Sequence, residues 1–442
     1  MKRVILIITL LMATMSIVCA QEYSSPEYVS LGRELPRSKT VPYPTAEEAQ
    51  ALGAGAVASK FLRPVTKWTR TEEADATVFT SKYVIPFVWL SRQAILYVDE
   101  ASGAYEVLIN GKKVGYAANA YAPAEFNITK ASKEETNTIS IRVLKNHWSR
   151  TMECYVQNPE PRVGEVYVMS QPMIRVRDVV HNTRVDMKSE HATVEVGMVV
   201  KTESLNPKKA RIHYELIAPD TTVVTKGYKD ITLGMRSEDT IKFMTNIPYV
   251  YTWCADMPVR YRLNIKTQIE GRYQEYQSHM LGFRTVESNK DGDFFINGIK
   301  TELFYRDMDP LKITDKDIIA ARVLKYNALR FDMGAVPQNV YRMCDSLGMY
   351  VIAQVPINTS QSGISRRLGG NPTNDPKWKQ AYLDRVETTY RTTRGQACVI
   401  GYVMAAESAN GINLYESYLR LKSLEPTRPV IYIEAGGEWN SD

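Results

Sequence analysis

The 442-residue chain is longer than one ordinary hydrophobic core supports, so length alone implies several domains. A hydrophobic share of 44% with 24% charged residues describes a globular protein and excludes the disordered and fibrous classes. The formal charge of +6 is spread over 55 basic and 49 acidic residues, too dilute for a nucleic-acid footprint, and no nucleic-acid partner is expected.

The chain opens MKRVILIITLLMATMSIVCAQ, with a basic start, an apolar run from Val4 to Val18 and a small-residue exit at Val18-Cys19-Ala20. That order predicts a secretory signal peptide over 1–20, cut near Ala20, and an exported protein, periplasmic or extracellular. The run is short for a membrane anchor. Lipid attachment at Cys19 is the alternative, disfavoured by bulky Val18 where such sites want a small residue. No later stretch is apolar enough to cross a bilayer, so no membrane span is expected. The remaining cysteines, Cys154, Cys254, Cys344 and Cys398, are far apart with no CxxC, which excludes a zinc cluster or redox motif. Cys344 and Cys398 lie in apolar runs and read as buried free thiols.

Residues 21–75 are rich in Pro, Ser, Glu and Ala and read as an extended arm with a short helix around TAEEAQAL. Over 76–172 the texture has period two: AILYVDE, AYEVLING, KKVGYAA, AEFNIT and TISIRVL alternate apolar with polar residues, with a turn at Asn110-Gly111. This predicts a β-sandwich. A second β block over 173–286, with ATVEVGMVVKT, ARIHYELIA, DTIKFMTNI and YRLNIKTQ, has the length of an immunoglobulin-like sandwich.

Over 287–442 the rhythm changes. TELFYR, ALRFDM, MYVIAQV, CVIGYVMAA and PVIYIEA read as strands, separated by four helical segments, KDIIAARVLKYN, NVYRMCDSLG, PKWKQAYLDRVETTYRTTRG and NLYESYLRLKSL. Five strands alternating with four helices are parallel βα units. A doubly wound sheet is the alternative, but no Gly-rich phosphate loop follows the first strand. A (β/α) barrel of the TIM type fits, and its chemistry sits at the C-terminal ends of the strands. That places Asp307, Asp332, Glu407 and Glu434 on one face. The segment is shorter than the about 250 residues of a full eight-stranded barrel. A partial barrel is therefore expected, with open edges at its first and fifth strands that invite self-association. The five histidines, His147, His181, His191, His213 and His279, all precede this segment, which excludes a histidine base or ligand within it.

The sequence resembles glycoside hydrolase family 2, in particular its long β-galactosidases. The stretches that carry the likeness are the arm 25–52, YEVLINGKKVGYAANAYAPAEFNIT (105–129), PMIRVRDV (172–179), LGFRTVESNKDGDFFING (281–298), YNALRFDMGAVPQNVYRMCDSLGMYVI (326–352), AESANG (406–411) and PTRPVIYIEAGG (426–437). They occur in the family's order. The resemblance implies a jelly-roll sugar-binding domain, an immunoglobulin-like domain and a TIM-type catalytic barrel that hydrolyses terminal β-galactosides or related β-glycosides. It puts the family's acid/base glutamate on Glu407 and its nucleophile beyond Asp442.

Several positions depart from the family's pattern. Ala406 stands where an asparagine contacts the sugar, Met333 where a histidine follows Arg330, and Gln354 where an acid ends the third strand. Asn358 and Ser360 replace the glutamate and histidine that help hold magnesium, so no cofactor or metal is expected. Arg306, Asp307 and Met308 replace a His-Glu-His run, the sugar-reaching acid of the jelly roll has no clear match in MECYVQNPEPR, and the long loop between Lys67 and Val78 is largely deleted.

The candidate roles follow. Retaining glycosidases use two carboxyl groups about 5–5.5 Å apart. Glu407 is placed as the proton donor, or else is an inherited strand-end carboxylate with no partner. Glu434 ends the next strand and is the one substitute for the nucleophile within reach. Arg330 matches an arginine of the site floor and is expected to pair with Asp332, Glu407 or a carbonyl. Asp307, Asp309 and Asp332 could form an oxygen site, but Asp309-Pro310 and Thr314-Asp315 read rather as turn and helix-cap chemistry. Trp148 is the best sugar-stacking candidate, whereas Trp378 reads as a packing residue of its amphipathic helix and Trp253 as one that packs within the second sandwich. A carbohydrate partner of β-galactoside type and weak or absent turnover are expected; the alternative is a non-catalytic exported carbohydrate-binding protein, a pseudoenzyme of the family.

Overall fold

The computed structural model describes residues 24–52, 59–155, 159–332 and 334–442; the expected signal peptide with Ala20, and Met333, lie outside these. Alternation of apolar and polar residues builds a first sandwich of a six-stranded and a four-stranded sheet. Its filling comes from the inward faces of both, including Leu96, Val98, Val107, Phe126 and Ile141. The hairpin of Tyr105–Ile109 and Lys112–Ala117 turns at Asn110 and Gly111, with φ of 51° and 79°, as the Asn-Gly signal predicts. A second sandwich pairs a three-stranded with a four-stranded sheet around Val194, Val196, Ile212, Leu216 and Leu263, seven strands as in immunoglobulin-like domains.

The C-terminal unit is one parallel sheet in chain order: β1 (Tyr305–Met308), β2 (Ala328–Phe331), β3 (Tyr350–Gln354), β4 (Val399–Val403) and β5 (Val430–Ile431). Between them run α1 (Asp315–Val323), α2 (Gln338–Leu347), α3 (Lys379–Thr393) and α4 (Ile412–Leu424). This is a partial α/β barrel; among the described residues β1 and β5 each pair on one side only. Helix α2 stops at Gly348, with φ +78°, where a Cβ would lie 2.0 Å from the Ala255 carbonyl oxygen, so the chain requires glycine there.

Two expectations are corrected. The fifth strand is only Val430–Ile431, and Glu434 sits on the short 3-10 turn Ile433–Ala435 instead of a strand end. Among the described residues no strand pairs with β5 on that side, and Gly436 and Gly437 at positive φ turn the backbone away. Trp253 belongs to the barrel's core, not the second sandwich: its Nε1 donates to the Asp345 carbonyl at 2.9 Å and its ring meets Tyr350 edge-on at 5.7 Å.

The arm ties the three units together. Ser30–Leu31 pairs with the edge strand Lys112–Ala117, and Arg37 forks onto Glu125 at 2.8 and 2.9 Å in the first sandwich. Glu34 binds Arg175 and Lys201 of the second sandwich at 2.7 and 3.1 Å, and Tyr43 bridges Tyr276 there. Arg33 pairs with Asp384 on α3.

Burial raises the Glu34 carboxyl, but Arg175 and Lys201 outweigh it and hold it down to about 2. Glu425 is likewise buried and brought down to about 2 by Arg428. Folded values below the ordinary 4.5 mean that the stabilisation is complete above that pH and fades as pH falls towards about 2. Denaturant unfolding across this window should show stability falling steeply with acid. Glu34→Gln should cost on the order of 3 kcal/mol near neutrality and flatten the profile. Parallel profiles for variant and parent would refute the arm's electrostatic role.

Candidate active site

Glu407 follows β4 by four residues, past the stretch that the apolar run VIGYV commits to the sheet. Beyond their regular pairing, β3 and β4 are prolonged by single rungs. Asn358 pairs in parallel with Ala406 on one side and with Glu153 of the first sandwich on the other. The Ala406 N–H donates to the Ile357 carbonyl at 3.0 Å, the Asn358 N–H to Met152 at 2.9 Å, and the Cys154 N–H to Asn358 at 3.1 Å. The residue before Glu407 is thus tied, through Asn358, to a segment more than two hundred residues upstream.

Glu153, the one acid in the MECYV stretch, is fully buried and does not reach outwards. Its carboxylate accepts from Arg385 of α3 at 2.7 Å, with Arg150 at 3.4 Å, and Arg385 also donates to the Pro356 carbonyl at 2.8 Å. A buried charge pair of this kind persists because removing either partner strands the other, at about 3–5 kcal/mol. Neither residue stands out in the sequence as a site residue; Arg385 reads as an ordinary position on an amphipathic helix.

The Glu407 side chain is exposed, and its Oε2 accepts from Asn358 Nδ2 at 3.0 Å. Its backbone lies at φ +45°, a left-handed conformation that costs a side-chain-bearing residue about 1–3 kcal/mol. The Glu407 N–H donates to Glu434 Oε1 at 3.0 Å. The next residue is fixed as well: Ser408 Oγ accepts from the Thr359 N–H at 3.0 Å, and Tyr432 donates its hydroxyl to the Ser408 carbonyl. Glu407 and Glu434 therefore belong to one site, in which Glu434 holds the backbone that presents Glu407.

The other candidates form a second cluster on β1 and β2. Arg330 does not pair with Asp332 or Glu407; it forks onto Asp307 at 2.5 and 3.0 Å because adjacent parallel strands place Asp307 opposite Arg330 in register. Arg330 holds the Asp307 carboxyl below the usual range. Asp332 is exposed beside them. Asp309 accepts from the Leu311 N–H at 2.9 Å, and Asp317 accepts from Thr314 at the start of α1, so this stretch does carry turn and cap chemistry. Trp148 meets Trp378 edge-on at 5.6 Å and is partly buried at the junction of sandwich and barrel. Cys344 and Cys398 are buried free thiols.

Three family models match successive parts of the chain: the sugar-binding domain of glycosyl hydrolases family 2 over 21–175, a further family 2 domain over 174–284 and the family 2 TIM-barrel domain over 305–441. The chain belongs to glycosyl hydrolases family 2. It is 25% identical over 440 residues to a β-galactosidase of Pectobacterium atrosepticum, covering 94% of this chain and 41% of that protein. To a β-galactosidase of Priestia megaterium it is 26% identical over 421 residues, 91% of this chain and 39% of the other. The chain thus spans about two fifths of the length of these relatives. Among solved structures it resembles Bacteroides uniformis β-glucuronidase 2, bound covalently to cyclophellitol-6-carboxylate aziridine, with TM-score 0.69 at 19% identity, over 81% of this chain and 46% of that one. It also resembles the β-D-glucuronidase of Dictyoglomus thermophilum, with TM-score 0.67 at 16% identity, over 85% and 73%.

The family's magnesium position does not fit the residues present. Asn358 turns an N–H donor, not a lone pair, towards Glu407, and its Oδ1 accepts from the Ser360 N–H at 3.0 Å. Flipping the amide would set oxygen against carboxylate and NH2 against N–H, so both neighbours fix this orientation. Among the described residues no three His, Cys, Asp or Glu side chains converge as a metal site.

The strain at Glu407 is measurable. Glu407→Gly and Glu407→Ala remove the same carboxylate, but only glycine accepts φ +45° freely. The glycine variant should be about 1 kcal/mol more stable in equilibrium unfolding. Equal stabilities would mean that the backbone there is relaxed in solution.

Proposed function

We propose that the protein is a glycoside hydrolase acting on terminal β-galactosides or related β-glycosides, with Glu407 as the group that protonates the departing oxygen. The observation that carries this reading is the exposed Glu407 carboxyl at the C-terminal end of a parallel strand, held by Asn358 on its side chain and by Glu434 on its backbone. An acid donates best when its oxygen is fixed where the leaving group develops charge, and such help amounts to about 10²–10⁴ in rate. A retaining reaction also needs a second carboxylate as nucleophile. Glu434 is occupied as an acceptor for the Glu407 N–H, which supports a positioning role for it and not that of the nucleophile.

Hydrolysis of a panel of aryl β-glycosides, galactoside first, by this chain and its Glu407→Gln variant tests the proposal. Slow release that drops by about 10²-fold or more in the variant is expected. Equal, measurable rates in the two would remove Glu407 as a working acid in this chain and leave sugar binding by the first sandwich to be measured.

The same reading dispenses with magnesium, supported by the Asn358 amide, which donates to Glu407 at the position where the resemblance implies a ligand. Treatment with EDTA should leave both the rate and the melting temperature unchanged; a loss of either on chelation, restored by magnesium, would contradict it. We also propose export, on the order of basic start, apolar run and small-residue exit before Gln21. Mass spectrometry of the protein recovered from its producing cells should find Gln21 at the N-terminus.

A further inference from the structure

We propose that the outer face of the four-stranded sheet in the second sandwich binds an acidic glycan chain, one whose sugar rings carry carboxylates. Its platform is Tyr228, His213 and Tyr273, flanked by Lys226 and Lys266. The sheet runs in the order Val223–Leu233, Lys208–Ile217, Tyr261–Ile269 and Arg272–Leu281. Alternation sorts its residues: Ile212, Leu216, Leu263 and Ile265 fill the core, so their neighbours His213, Glu215, Asn264 and Lys266 face outwards.

Register sets these side chains in two rows across the strands. Tyr228, His213, Lys266 and Tyr276 stand opposite one another in one row, and Lys226, Glu215, Asn264 and Ser278 in the next. Strands about 4.8 Å apart make each row about 14 Å long. The first row ends at Tyr276 against the arm, where Tyr43 bridges it. Six of these residues, His213, Glu215, Lys226, Tyr228, Asn264 and Lys266, line a single depression of about 220 Å3. Tyr228 and Tyr273 leave 53% and 48% of their surface exposed, and the His213 ring lies between them, with centroids 5.7 and 5.5 Å away. Arg211, paired with Asp230 at 2.7 Å, lies 4.1 Å from the centre of the Tyr228 ring and holds it in place. Gln268 donates its amide to the Gly271 carbonyl at 3.0 Å, which turns its Oε1 to accept from His213 Nε2 at 3.1 Å. His213 Nδ1 is thereby left as an acceptor.

A sugar chain matches this chemistry. The C–H faces of a pyranose lie against aromatic rings, and its hydroxyls donate to the His213 Nδ1 and the Glu215 carboxylate. The two rows contain no aliphatic side chain of the kind that forms the apolar centre of a protein interface. Charge selects acidic sugars: among the described residues neither Lys226 nor Lys266 has a carboxylate within ion-pair distance. Two free cations beside Glu215 are too few for the dense phosphates of a nucleic acid. The surface lies in a different domain from Glu407 and does not depend on the glycosidase reading.

Titration calorimetry of the full chain with polygalacturonate, and with its fully methyl-esterified form, which keeps the rings and removes the charge, tests the site. The charged polymer should bind about tenfold more tightly, and raising salt from about 50 to about 500 mM should remove most of that advantage. Tyr228→Ala should weaken binding about tenfold, and Lys226→Gln combined with Lys266→Gln should make the two polymers equal. These side chains lie on the solvent face, so the variants should fold as the parent does. Glu407→Gln should bind as the parent does, which keeps this result apart from any at the Glu407 site. Equal affinity of the parent for both polymers, or tighter binding of duplex DNA than of polygalacturonate, would overturn the assignment to acidic glycans. No binding of either polymer, or unchanged binding by the Tyr228 and lysine variants, would overturn the site.

Discussion

The buried pair of Glu153 and Arg385 is the contact through which the first sandwich sets the position of Glu407. Arg385 reaches from α3 to the Glu153 carboxylate and to the Pro356 carbonyl, fastening the segment after β3 to the first sandwich. On that fixed segment Asn358 makes its two rungs and directs its amide at Glu407. Charges this deeply buried add little net stability compared with apolar packing, but they tolerate only one arrangement. Their effect here is registration between domains far apart in sequence. The sheet itself carries only the regular ladder; the last few residues, which present Glu407, depend on the neighbouring domain.

That division explains what was legible in the sequence. Period-two alternation and the Asn110-Gly111 turn disclosed the sandwiches, and the alternating strand and helix texture disclosed the parallel sheet, because these signals are local. The end of the fifth strand was not legible: IYIEAGG reads as a continuing strand, whereas among the described residues no strand pairs beyond β5 and the two glycines let the backbone curl into a turn at Glu434. Trp253 was misassigned for a related reason, since an aromatic in a β block looks the same whether it faces its own sandwich or the barrel that covers it.

The site was half legible. Glu407 could be located from its place after an apolar strand and from AESANG, and Glu434 from its nearness to the next strand. Their relation could not, because it runs through the Glu407 backbone at φ +45°, and no residue type announces that conformation when the residue is not glycine. The partner of Arg330 depends on register: Asp307 and Arg330 face each other only because β1 and β2 pair in parallel at those rungs. Asn358 reads in the sequence as the loss of a metal ligand; in the structure its amide donates a direct hydrogen bond to the Glu407 carboxylate. A cation offers charge and several coordination directions; an amide offers one direction and no charge, which is sufficient to aim a carboxyl.

Hydrogen exchange resolved by mass spectrometry tests most directly whether the first sandwich holds the segment that presents Glu407. The amides over 357–360 and 406–408 should exchange as slowly as those of β3 and β4, and Arg385→Met should accelerate both segments together while leaving the two sandwiches protected. If these segments exchange rapidly in the parent protein, or if Arg385→Met loosens only its own helix, then Glu407 is not held by the Glu153–Arg385 contact.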